Sequence, residues 1–183
     1  MNRNHISPCR SMRCSPTARI AAYVVLLAVS ASFPASAETP PLPSAADDSG
    51  RLPRSYAGWQ LGEPAPEGDP KQGHALFRDT EVFIERLSDE PRIFRKALVH
   101  DGEIFRIEWV IRDPSLDRDR VIAAFSERLG SPMDSPYAVR DGAEWSDGTG
   151  RGRTTVMVRR ANGSDWLTVA VQDAGMAVDL WSP

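Results

Sequence analysis

The chain has 183 residues, with 22 lysines and arginines against 25 aspartates and glutamates, and a formal net charge of −3. That length holds one domain with extensions. The acidic balance argues against nucleic acid as the main partner, because such binding rests on neutralising phosphates.

The N-terminal extension has the character of an export signal. Arg3, Arg10, Arg13 and Arg19 precede an apolar run from Ile20 to Ala31, and no acid lies among them. The run gives way to Ser32-Phe-Pro-Ala-Ser-Ala37, which ends in a small-x-small pattern. A basic start, a short apolar centre and a small-residue exit describe a secretory signal peptide over residues 1–37, cleaved after Ala37. A membrane-crossing helix needs about 20 apolar residues, and Pro34 follows this shorter run closely. Met12 offers a second, more ordinary start. Cys9 and Cys14 both precede the apolar run, so neither is placed for lipid attachment and both leave with the signal. The mature chain would then have no disulfide, thiolate nucleophile or cysteine-held zinc. Losing four arginines while keeping every acid takes the formal charge from −3 to −7.

Residues 38–55 are rich in proline, serine and acid, a composition expected to form a flexible leader. Tyr56 to Gly62 is the first patch able to pack, Glu63 to Gly73 reads as loop, and the folded body is expected to begin near Ala75. Glu81 to Leu87 has the β-branched and aromatic content of a strand, broken by Asp89-Glu90-Pro91. Arg92 to His100 and Glu103 to Ile111 flank Asp101-Gly102, a strong hairpin signal. A regular register places His100 opposite Glu103, Leu98 opposite Phe105, Lys96 opposite Ile107 and Phe94 opposite Trp109. Phe94, Leu98, Phe105, Ile107, Trp109 and Ile111 would then share one face, with Arg95 opposite Glu108 and Ala97 opposite Arg106 on the other.

One helix follows. Asp113 or Ser115 can cap it, Pro114 suits its first turn, and Asp117 and Asp119 favour its positive end. Val121, Ile122, Phe125 and Leu129 form its apolar stripe, expected to cover the aromatic hairpin face, before Gly130 and Pro132 stop it. Glu144-Trp145, Thr154 to Arg160 and Trp166 to Gln172 read as further strands, with Met176 to Trp181 as an edge strand. The expected fold is α+β: an antiparallel sheet of five to seven strands with a single amphipathic helix packed on one face. Residues 56–183 would form that single small domain.

Reactive constellations are scarce. Of the two histidines beyond the signal, His100 ends a hairpin strand and His74 borders a loop; there is no Gly-x-Ser-x-Gly elbow. Asp141, Glu144 and Asp147 bring three carboxylates together, but without the spacing of a helix–loop–helix calcium site. The loop Asp147-Gly-Thr-Gly-Arg-Gly-Arg-Thr154 leads into a strand, whereas phosphate cradles lead into a helix start. No catalytic, metal or cofactor residues are therefore assigned.

What remains is an exported, periplasmic or secreted, non-enzymatic binding or accessory module acting through protein–protein contact. An inhibitor or immunity-type protein is one specific form. The alternative is a small periplasmic enzyme, a hydrolase using carboxylates from different strands. The expected partner is another periplasmic or secreted protein, with no nucleic acid and no membrane span after cleavage. Trp59, Trp145, Trp166 and Trp181 exceed what one helix can cover. Trp145, Arg151 and Arg153, on the longest turn between paired strands, are the candidate partner-binding residues.

Overall fold

The computed structural model describes residues 39–74, 77–134, 141–160 and 163–181. The expected signal peptide, with both cysteines, lies outside them, as do Ala75 and Asn162. Among the described residues no helix is long and apolar enough to cross a membrane.

Strands β1 (Ser55–Tyr56) and β2 (Trp59–Gln60) make a small two-stranded sheet. The main sheet contains β3 (Lys71–His74), β4 (Phe77–Asp89), β5 (Arg92–His100) and β6 (Glu103–Arg112). After helix α1 (Arg118–Leu129) come β7 (Gly142–Ser146), β8 (Thr154–Arg159) and β9 (Trp166–Asp173), and then helix α2 (Ala174–Leu180). The order is β3-β4-β5-β6-β9-β8-β7, antiparallel throughout. This is the expected α+β architecture, with an amphipathic helix on the sheet.

The β5–β6 hairpin departs from its expected register after two residues. Asp101 and Gly102 both have positive φ, 51° and 80°, as a tight two-residue turn requires. His100 does pair with Glu103 and Val99 with Ile104, but Phe105 is then skipped. Leu98 pairs with Arg106, Ala97 with Ile107, Lys96 with Glu108, Arg95 with Trp109 and Phe94 with Val110. A β-bulge inserts one unpaired residue, and a one-residue slip exchanges the faces that meet across the pair. The expected aromatic face is therefore divided: Leu98 and Phe105 belong to one apolar cluster, Ile107 and Ile111 to another.

The larger cluster fills the first face. Ile93, Ala97, Ile107 and Ile111 meet Val156, Val158, Leu167 and Val169 there. Helix α1 lies over β7 and β8, with Phe125 fully buried and its ring 6.0 Å from that of Trp145. The helix thus docks beside the hairpin and away from Phe94, Leu98 and Phe105. It also starts later than expected. Asp117 is the N-cap and accepts from the Asp119 amide, while Asp113 accepts from the Ser115 amide and hydroxyl in the preceding turn.

The rest of the first face is covered from the N-terminal side. Leu52, Tyr56 and Leu61 are buried in the same cluster, and Trp59 packs against it. The Leu52 amide donates to Asp147, the Ala46 amide to the Arg128 carbonyl, and Asp47 accepts from the Ser49 and Arg51 amides. The segment expected to be a flexible leader therefore makes these contacts from Ala46 onward. Its few apolar side chains suffice because they complete a face that α1 leaves unfinished.

Met176 to Trp181, expected as an edge strand, instead falls largely within α2 (Ala174–Leu180). Asp173 caps it by accepting from the Met176 amide, and small residues let it approach closely. A Cβ on Gly175 would collide with the Arg151 backbone. Ala177 and Leu180 pack with Phe77, Val82, Leu98 and Phe105 on the second sheet face.

Candidate functional site

The second face is built from side chains that meet strand by strand. One row runs Ile84, Lys96, Glu108, Ala170, Met157, Glu144, and the next runs Val82, Leu98, Arg106, Gln172, Thr155, Ser146. Among the described elements, α2 alone packs on this face, and only toward its Phe77–Phe105 corner. Between α2 and strands β8 and β9 lies a groove of about 420 Å³. Phe77, Met157, Ala177, Val178 and Trp181 supply its apolar walls, and Arg106, Arg159 and Gln172 its polar ones.

The walls are held by ring contacts. Phe77 meets Phe105 and Trp181 edge to face, at 5.4 and 5.8 Å between centroids. Arg106 has its guanidinium 5.5 Å from the Phe77 ring centre, within cation–π range. Its Nε donates to Glu108 at 2.7 Å and its Nη1 to Gln172. Glu108 is also 3.9 Å from the Lys96 ammonium. Two buried charges on a sheet face hold each other, since neither could be left unpaired there cheaply. Arg159 differs: it is exposed at the end of β8, with no partner among the described residues.

The rim is apolar and wet. Val178 is 70% exposed and Trp181 50% exposed. Of the tryptophans expected to be in surplus, Trp59 lies 3.9 Å beneath the Arg95 guanidinium, and Trp166 packs near Phe94 and Arg112. Trp181 alone among the described tryptophans is an exposed one.

The three residues singled out in the sequence occupy different surroundings. Trp145 is 2% exposed and its indole donates to the Gly130 carbonyl at 2.8 Å, so it belongs to the core and presents no surface. Arg151 is exposed and paired with Asp179 of α2 at 3.1 Å. Arg153 is half-buried and shields Gly148. The glycine-rich loop they share is an anchor. Asp147 accepts from the Thr154 and Leu52 amides, and Asp173 accepts from the Gly152 amide and Arg54. Amides that could cradle an external anion are thus used by the protein's own carboxylates. The groove went unseen in the sequence because α2 read as a strand; the Asp173 cap three residues before Met176 was the available signal.

The remaining chemistry is local. His100 lies 2.8 Å from the Asp79 carbonyl and 3.3 Å from Asp101. Among the described residues no three potential metal ligands cluster. Glu108 and Glu144 share a row, but three strand spacings of about 4.8 Å separate them, too far to act on one bond. Burial raises the Glu144 carboxyl above its ordinary 4.5 and pushes the unpartnered Tyr56 hydroxyl up as well. Hydrogen bonds from Ser115 hold Asp113 below 3.8. No protein family, curated protein or solved structure matches the chain.

Proposed function

We propose that the chain is an exported binding module that engages another exported protein through the groove beside α2. The observation that supports this most is the exposure of Val178 and Trp181 on the rim of a pocket with a fixed polar lining. Large apolar side chains at the edge of a concavity mark interaction surfaces, and tryptophan is enriched at binding hot spots. The polar lining fits the same role: Arg106 is held by Glu108 behind it and by Gln172 beside it, so binding would order little that is not ordered.

Site-specific crosslinking tests the proposal in the compartment where the protein accumulates. A photoreactive residue at Val178 should trap one discrete partner, and the adduct should disappear when Trp181→Ala is added. The same residue at Ala123, exposed on α1, should trap none. Equal adducts from both positions, or an adduct indifferent to Trp181→Ala, would move the partner surface elsewhere.

A further inference from the structure

We infer that the groove's occupant is an acidic polypeptide segment, with an apolar side chain against Phe77, Met157 and Trp181 and a flanking carboxylate on Arg159. This rests on the groove being the partner surface, and adds the chemistry of what enters it. Both charged side chains in the groove wall, Arg106 and Arg159, are cationic. The charge of Arg106 is met by Glu108 within the protein, which leaves that of Arg159 without a described counterion. Lys96, next in the row, also faces Glu108, at 3.9 Å. The groove lining is therefore cationic in a chain that is acidic as a whole. A guanidinium at the edge of an apolar wall recognises a carboxylate by paired, charge-assisted hydrogen bonds.

A polypeptide fits better than a compact ligand because the apolar surface does not stop at the pocket. Val178 lines the groove yet is the most exposed large apolar residue among the described ones, at 70%, so an occupant seated between the walls leaves its outer side wet. A segment running along α2 covers Val178 while its anchor side chain fills the groove. Glu108, the acid nearest the wall, is taken up by Arg106 and Lys96, and the next acid along the strand pairing is Glu144, opposite Met157. It sits on the edge strand, so the occupant's apolar side chain, and not its carboxylate, belongs at the Met157–Glu144 pair.

The test is a peptide array probed with the purified protein, using apolar residues flanked by Asp/Glu, by Asn/Gln or by Lys/Arg. Vesicles of phosphatidylglycerol form a separate arm. Acid-flanked peptides should be retained selectively and weakened by added salt. Arg159→Glu should weaken retention by about tenfold or more, the scale of one lost charge-assisted contact. Arg128→Glu, on exposed α1, should change little. Equal retention of amide-flanked peptides, indifference to Arg159→Glu, retention of no class, or preference for vesicles would each overturn the assignment. If Val178 crosslinks still depend on Trp181 but not on Arg159, the groove remains the partner surface and only the acidic occupant falls.

Discussion

The two faces of the same sheet are finished in opposite ways. On the first, α1 and the N-terminal segment together seal a wall of valine, leucine and isoleucine, and Phe125, Val156, Val158, Leu167 and Val169 are fully buried. On the second, a seven-residue helix packs on one corner, the middle of the sheet carries Lys96, Arg106 and Glu108, and Glu144 lies on the edge strand. A face meant only to be buried would not hold an ion pair at its centre, since well-packed apolar residues serve there at least as well. The difference separates a sealed apolar side from a side that carries a buried ion pair and a groove.

The largest expected effect lies on the sealed face. Phe125→Ala removes a fully buried ring and should cost about 3–5 kcal/mol in denaturant unfolding, while Asp119→Ala, on the exposed side of the helix, should cost well under ~1. Similar small shifts at both positions would mean α1 contributes little to that face. On the second face, Glu108→Ala leaves Arg106 buried without its counter-charge and should cost about 3 kcal/mol. The double substitution Arg106→Leu with Glu108→Leu should recover most of that loss; a double variant as unstable as the single one would show that the pair itself holds the sheet together.

The next effect is one of pH. Burial raises the Glu144 carboxyl in the folded state, so folding favours its protonated form. The penalty is present in full above the folded value, fades as pH falls from there to 4.5, and is gone below 4.5, where both states are protonated. Glu144→Gln should therefore stabilise the protein at neutral pH and make no difference in acid. A gain that persists unchanged at low pH would rule out ionisation as its source. The smallest effect belongs to Arg151→Ala, which removes an exposed pair with Asp179 and should shift unfolding by less than ~1 kcal/mol. A much larger shift would make this pair, rather than the Asp173 hydrogen bonds, the tie between loop and helix.

The sequence by itself determined the α+β class, the strands around residues 81–87, 92–111, 154–160 and 166–172, and the stripe of α1. These follow from alternation, helical spacing and turn residues, which act over a few neighbouring positions. Tertiary structure decided the rest. Nothing next to Phe105 announces that it will be skipped; the bulge brings Leu98 and Phe105 to the face where α2 docks while Ile107 and Ile111 join the sealed core. Residues 39–54 look too polar to pack, yet Leu52 is buried because the sheet leaves a gap there. Met176 to Trp181 alternates passably as a strand, but the Asp173 cap and the close approach at Gly175 make helix the better fit. In each case the local pattern was compatible with two outcomes, and contacts distant in the chain chose between them.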